Sequence, residues 1–256
     1  MSDPKIVLLA GKGLSTNILY HALKNEFSID TIILEEPVGK KEFLKKRIKK
    51  LGLWKVAGQV LFQLIIVKFL NLSSAVRKQQ ILQNFSFDSS DLPAEKIKRV
   101  ASVNDDACLQ LLQTIAPQLL IVNGTRIISK RVLDGVSATF INLHAGITPQ
   151  YRGVHGAYWA LVNKDAQHCG VTVHRVDTGI DTGDVISQRT ISPEPRDNFV
   201  TYPLLQLAEG IPLMKKAIAD ILSGSLNSTK ATGESKLWSH PGFGQYLWQR
   251  IAKGIK

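Results

Sequence analysis

Apolar residues follow two rhythms along this chain. Residues 6–10, Ile-Val-Leu-Leu-Ala, form an unbroken apolar run ahead of Gly11-Lys12-Gly13, and so short a continuous run predicts a strand buried on both faces. The spacing then turns helical through Ile18, Leu19, Ala22 and Leu23. A second strand is predicted at 31–34, closed by Glu35-Glu36-Pro37, with basic and amphipathic helices over about 40–83. A third strand falls at 99–103, and a helix at 105–116 has Asn104 or Asp105 as its cap. Strands follow at 119–122 and 140–143. Such alternation predicts an α/β fold, a Rossmann-like, mostly parallel sheet flanked by helices. Downstream the pattern predicts a helix over about 154–163, a hairpin of 170–176 with 184–188, and a long helix over about 199–222. Residues 225–235 are polar and read as a linker or loop, and the last twenty residues carry Trp238 and Trp248.

Composition narrows the class. With 256 residues, 44% hydrophobic and 21% charged, the chain can bury one large core or two modest ones, which excludes a disordered tail, a collagen-like repeat and a coiled coil. Cys108 and Cys169 form no CxxC and are too few for a disulfide framework, so a reducing cytoplasm is expected. His155, His168 and His174 lack any paired zinc spacing, and no catalytic metal is expected. Met1-Ser2-Asp3-Pro4 leads straight into the first strand without the length or cleavage site of a signal peptide. The segment 51–72 is interrupted by Lys55, Gln59, Gln63 and Lys68 at helical spacing. It reads as one amphipathic or mostly buried helix, and no transmembrane span is expected.

Charge adds a further feature. The net charge is +11, and residues 40–55 hold eight basic residues against Glu42 alone. Such a cluster is either a solvated helical face or a contact for an anionic membrane surface, a phosphorylated ligand or nucleic acid. No aromatic residues alternate with these lysines, so no nucleic-acid partner is expected. The helix beside it is a candidate subunit interface, for instance in a homodimer.

Three polar constellations are candidates for chemistry. Gly11, Lys12 and Gly13 stand between a strand and a helix, as a phosphate-cradling turn or a merely structural one; Thr16 breaks the GxGxxG pattern. Asn142 and His144, two apart on a strand, share a face and can aim an amide donor and an imidazole at one atom. The alternative is a structural histidine. Residues 177–184 carry two Asp-Thr-Gly triplets only four residues apart, too close for an aspartic-protease dyad and lacking the closing glutamate of a calcium loop. This loop either brings a carboxylate against His144 or is a capped hairpin turn.

Taken together, Asn142-Leu143-His144, the loop Pro149-Gln150-Tyr151-Arg152-Gly153 and the turn Ile180-Asp181-Thr182-Gly183 resemble the N10-formyltetrahydrofolate-dependent formyltransferases. The resemblance covers about 5–222, with 38–92 as a helical, basic insertion and 223–256 as a short C-terminal extension. It implies Asn142, His144 and Asp181 as catalytic residues and N10-formyltetrahydrofolate as co-substrate. It further implies that Arg126, Ile127 and Ile128, with Asp177, Thr178 and Gly179, hold the folate. Gly11, Lys12, Gly13, Tyr151 and Arg152 would then contact a small, phosphorylated amine. Two departures, His144-Ala145-Gly146 in place of His-Pro-Ser and Gly-Lys-Gly in place of Gly-Asn-Gly, weaken a glycinamide ribonucleotide assignment; the positive charge suits the diphosphate of a nucleotide-linked amino sugar, whose N-formyltransferases this chain resembles in size, and glycinamide ribonucleotide is the alternative acceptor. The stretch after 222 is shorter than the barrel of methionyl-tRNA formyltransferases. A folate- or nucleotide-binding module that performs no transfer is the non-enzymatic alternative.

Overall fold

The computed structural model describes residues 4–256; Met1 to Asp3, on which the leader reading partly rests, and the side chain of Lys40 lie outside that description. Strand β1 (Ile6–Gly11) is buried from Ile6 to Ala10, as its unbroken apolar run requires. Helix α1 (Leu14–Leu23) returns the chain to β2 (Ile29–Glu35). After the helical segment come β3 (Ile97–Val100), β4 (Leu119–Asn123) and β5 (Thr139–His144), then β7 (Gly170–Arg175) and β8 (Val185–Thr190). Their order is β3-β2-β1-β4-β5-β7-β8. All neighbours from β3 to β5 are parallel, while β7 and β8 add an antiparallel edge. The α/β sheet expected from the sequence is therefore present.

Helices cover both faces. Helix α9 (Tyr202–Leu222) packs on β7 and β8, and its Ile211 and Met214 meet Leu8 and Ile18 of one core. Helices α6 (Asp106–Ile115) and α7 (Lys130–Gly135) cover the other face around Leu9, Leu112 and Val132. The Asp105 carboxylate accepts from the Cys108 amide and caps α6.

The helical segment comprises α2 (Lys40–Leu51), α3 (Leu53–Leu61), a π-helical turn over Phe62–Val67, α4 (Lys68–Ser73) and α5 (Ala75–Asn84). Gly52, at φ +85°, separates α2 from α3, a conformation that a residue without Cβ adopts freely. Residues 53–73 run as one helix. Of the two expectations for it, an amphipathic or a mostly buried helix, the second is corrected: only 22% of its most apolar window is buried, and by length and a mean hydropathy of 1.6 it suffices to cross a membrane. Its inner face, with Val56, Phe62 and Leu70, docks on the chain's own core.

A third cluster ties this segment to the far end of the chain. Phe62 meets Phe199 edge-on at 4.9 Å and Tyr246 at 5.1 Å, together with Tyr158 of α8 (Gly156–Val162). Tyr246 belongs to α10 (Phe243–Lys253), so the C-terminal extension folds back onto the body. Just before it, β9 (Leu237–Trp238) pairs in parallel with β6 (Arg152–Gly153). Gly153 has φ +93°, and a Cβ there would lie 2.3 Å from the Trp238 carbonyl oxygen.

Three of the boundaries that differ from the sequence expectation have a local reason. Strand β3 ends at Val100 rather than 103, because the Ser102 and Val103 amides donate to Asp105 and Glu35 side chains instead of a strand. Helix α8 starts after His155, whose φ of +60° is incompatible with a helix. Helix α9 starts at Tyr202, since Val200 donates to the Asn198 side chain and Asn198 to the Thr201 hydroxyl in a preceding turn.

Candidate active site

The carboxyl ends of β4 and β5 open into a cavity of about 700 Å³, the usual place for a ligand in an open α/β sheet. Asn142, His144 and Asp181 all line it. Asn142 and His144 come together because β5 alternates its faces. Asp181 arrives from the loop between β7 and β8 at φ +51°, a left-handed conformation that Asp tolerates better than most residues. Its Oδ2 accepts from the Gly153 amide at 2.9 Å and lies 3.4 Å from His144 Nδ1.

A fourth member was missed by sequence reasoning. Antiparallel register places His174 opposite Asn142. His174 Nδ1–H donates to the Arg175 carbonyl at 2.6 Å, which leaves Nε2 as acceptor for the Asn142 amide at 3.1 Å. The same Nε2 lies 3.6 Å from Asp181 Oδ1. Alternation on β7, with Thr172 and His174 on one side, was the signal available in the sequence. An amide nitrogen carries two hydrogens, so Asn142 keeps one for the cavity.

His144 is fixed from behind. Its Nε2 lies 2.8 Å from the Tyr151 carbonyl. A carbonyl only accepts, so Nε2 carries the hydrogen and the lone pair is on Nδ1, facing Asp181. Gly146 makes this approach possible, because a Cβ there would lie 2.3 Å from the Tyr151 oxygen and 2.7 Å from His144 Nε2. Burial pushes the His144 imidazole below its ordinary value, only partly opposed by Asp181. Burial raises the Asp181 carboxyl, but the neighbouring His174 and His144 imidazoles and the Gly153 amide outweigh it, so Asp181 sits below the usual carboxylate range. At neutral pH the arrangement is a carboxylate beside a neutral imidazole poised to accept a proton at Nδ1.

The remaining expected residues divide. Arg126, Ile127 and Ile128 line the cavity, as do Asp177 and Gly179. The Arg126 side chain faces away, held by Glu35 and by the Ala101 and Glu36 carbonyls, so it contributes its backbone position. Thr178 is exposed and lies off the lining. Tyr151 and Arg152 also lie off it, and their expected contact with the amine is corrected to a supporting place. The Tyr151 ring stacks on Trp238 at 5.7 Å with its hydroxyl on Asp165, and Arg152 donates to the Ile180 carbonyl behind Asp181. Gly11, Lys12 and Gly13 are not part of the lining either. Gly11 abuts Gly124, which is, and a Cβ at Gly11 would strike the Gly124 carbonyl at 2.5 Å.

Two further groups of lining residues come from outside the expected set. Arg47, Lys50 and Lys55 bring the basic segment to the cavity, and Trp238, Ser239 and His240 bring the C-terminal extension. Gln59 and Gln63 link the two, donating to the His240 carbonyl at 2.6 Å and pairing with its Nδ1 at 3.1 Å. Burial pushes His240 down to about 4 and His155, 3.0 Å from it, down to about 3.

The family profile described as formyl transferase matches residues 69–203, more than half of the chain and the whole stretch from β4 through Asp181. The chain belongs to the formyl transferase family. Within that family, methionyl-tRNA formyltransferase of Thermodesulfovibrio yellowstonii is 31% identical over 156 residues, 56% of this chain and 50% of the relative. The chain thus spans about half the length of the curated relatives it matches. Among solved formyl transferase structures, a sugar N-formyltransferase from Shewanella superposes with a TM-score of 0.57 at 12% identity, covering 91% of this chain and 76% of that one. An N-formyltransferase from Helicobacter canadensis, solved with folinic acid and dTDP-3-aminofucose, gives 0.56 at 19% identity over 91% and 70%. At such identities the likeness establishes the fold.

Proposed function

We propose that this formyl transferase moves a formyl group from N10-formyltetrahydrofolate to the primary amine of a nucleotide-linked amino sugar. The observation that carries the reading is the Asn142–His174–Asp181–His144 cluster at the floor of a cavity with the size and apolar lining that an aromatic co-substrate needs. Ile127, Ile128 and Val176 supply apolar contact for a pteridine. Arg47, Lys50 and Lys55 supply positive charge for a diphosphate or the folate carboxylates. The Helicobacter canadensis structure supports both ligand classes through what it was solved with.

The bound donor supplies the electrophilic formyl carbon. Asn142 donates its remaining amide hydrogen to the carbonyl oxygen as negative charge develops there. His144 takes the proton of the attacking amine at Nδ1, and Asp181 holds the imidazolium so formed. That proton then passes to the departing N10 nitrogen, so the products are a formamide and tetrahydrofolate. The buried thiols Cys108 and Cys169, both free and pushed up to about 12 by desolvation, accord with a proposed cytoplasmic setting.

The deciding experiment incubates the protein with N10-formyltetrahydrofolate and a panel of amines, with products read by mass spectrometry. The panel holds nucleotide-linked amino sugars, glycinamide ribonucleotide and methionyl-tRNA. A formylated nucleotide sugar that is lost in Asn142→Ala supports the proposal. Product from glycinamide ribonucleotide alone moves the assignment to purine synthesis, and product from methionyl-tRNA alone moves it to the tRNA. Folate binding without any formylated amine makes the protein a binding module.

A further inference from the structure

The helix over 53–73 is apolar on both sides, and only one side is used. Val56, Phe62 and Leu70 are buried against the body, while Trp54, Leu61, Leu64, Ile65, Phe69 and Leu72 on the other side stand in solvent. Trp54 is 87% and Leu72 80% exposed. Isolated exposed apolar residues are ordinary, but a row along about five turns of one helix marks an interaction surface.

Charge indicates what covers that surface. Directly before it, α2 presents Lys41, Lys45, Lys46, Lys49 and Lys50 in exposed positions, with Glu42 paired to Lys46 as the only acid. Lys55 and Lys68 add positive charge within the apolar helix itself. A second copy meeting this face would set another chain of net charge +11 against an already basic surface, and like charges oppose that contact. An anionic bilayer matches both properties at once, since apolar side chains enter the acyl boundary while lysines meet the headgroups.

The contacts of the helix's inner side favour its lying on such a bilayer over spanning it. Its inner side is fastened to the rest of the chain through Gln59 to His240 and through Phe62 to Phe199 and Tyr246. Directly beyond its end, Arg77 of α5 is locked to Asp197 at 2.8 Å. A spanning helix would have to tear away from His240, Phe199 and Tyr246, right beside the anchored start of α5.

We propose that α2 and the helix over 53–73 form a docking surface for an anionic lipid membrane. The surface adjoins the cavity, for Lys50 and Lys55 belong to both, so docking brings the cavity's basic edge to the headgroup layer. The proposal stands on exposure and charge and does not depend on the identity of the amine.

The test is co-sedimentation of the full chain with vesicles of phosphatidylcholine alone and of equal parts phosphatidylcholine and phosphatidylglycerol. Binding is expected only to the mixed vesicles, weakening as salt rises, with a blue shift in tryptophan emission that Trp54→Ser removes. Each lysine near an anionic surface strengthens binding about fivefold, so Lys45→Gln/Lys46→Gln/Lys49→Gln weakens it about a hundredfold. All of these positions are exposed, and an unchanged circular dichroism spectrum and melting curve certify the variants as folded. Absence of wild-type binding to mixed vesicles, or undiminished binding by the triple variant, overturns the proposal. So does a dimer in light scattering that Trp54→Asp/Leu72→Asp dissolves, because the face would then be an interface between copies.

Discussion

Replacing Asp181 with Asn isolates the electrostatic part of the proposed mechanism. The exchange keeps the side chain's shape and an oxygen for the Gly153 amide, now 2.9 Å from Oδ2, but removes the negative charge 3.4 Å from His144 Nδ1. With an effective dielectric of about 20, a unit charge at that distance is worth about 5 kcal/mol to an imidazolium. The Asp181 side chain is only 14% exposed, so solvent screens little of this. The charge appears on His144 only as the amine loses its proton, and the loss therefore falls on kcat, by about a thousandfold. The pH profile gives an independent reading. His144 acts as a base, so kcat/KM falls as pH drops through its pKa, which burial holds below the usual histidine value. Without Asp181 that pKa drops further, and the acidic limb moves to lower pH while the plateau collapses. The assay is single-turnover formylation, by mass spectrometry, of the amine accepted by the wild-type protein. A kcat within threefold of wild type, or an acidic limb displaced upward, refutes the assignment of His144 as base and Asp181 as its counter-ion.

Three other outcomes follow from the geometry. Gly146→Ala places a Cβ between the Tyr151 carbonyl and His144 Nε2; an overpacked site costs about 1–3 kcal/mol, and kcat should drop at least tenfold in a protein that still unfolds cooperatively. Arg77→Ala leaves the fully buried Asp197 carboxylate without its cation, and urea unfolding at neutral pH should show a loss of about 3–5 kcal/mol. Burial raises the Asp197 carboxyl but its bonds to Arg77 and the Glu194 amide lower it more, so the net is a depressed pKa. A depressed carboxylate adds stability above its unfolded pKa and loses it as pH falls through the folded one, so the acid-unfolding midpoint of Arg77→Ala should lie above that of wild type. Phe62→Ala empties a site in contact with Phe199 and Tyr246 and should cost about 3–5 kcal/mol in the same unfolding assay.

What the sequence disclosed was local. Strands β1 and β4 are legible because each carries a short unbroken apolar run, and β5, a mixed Phe-Ile-Asn-Leu stretch, delivers Asn142 and His144 to one side by alternation alone. Asp181 was found because its turn carries a motif. His174 was not, because its meeting with Asn142 depends on the pairing of two strands that lie 32 residues apart at that contact. Tyr151 and Arg152 sit beside the motif in sequence and were expected to touch the amine. In the fold Tyr151 turns its ring to Trp238 and only its carbonyl to the site. The contributions of Arg47, Lys50 and Lys55, and of Trp238 to His240, arise from docking that no local pattern encodes. The outward apolar face of 53–73 was equally hidden, since an amphipathic count cannot show which apolar side a body will cover.

The pairing of β9 with β6 also bears on how the protein comes into being. Gln59 meets His240 across 181 residues, and Arg152 and Gly153 meet Leu237 and Trp238 across a gap of 85 in sequence. Contacts of such separation form late and slowly, because the loop they close must be ordered first. On the ribosome the sheet through β8 can assemble while the cavity still lacks one wall, and the nascent chain can hold the floor of the site without being able to enclose a substrate. The wall arrives only once residues 237–240 have left the exit tunnel, so enzymatic competence is acquired in a final step, separable in time from the folding of the sheet.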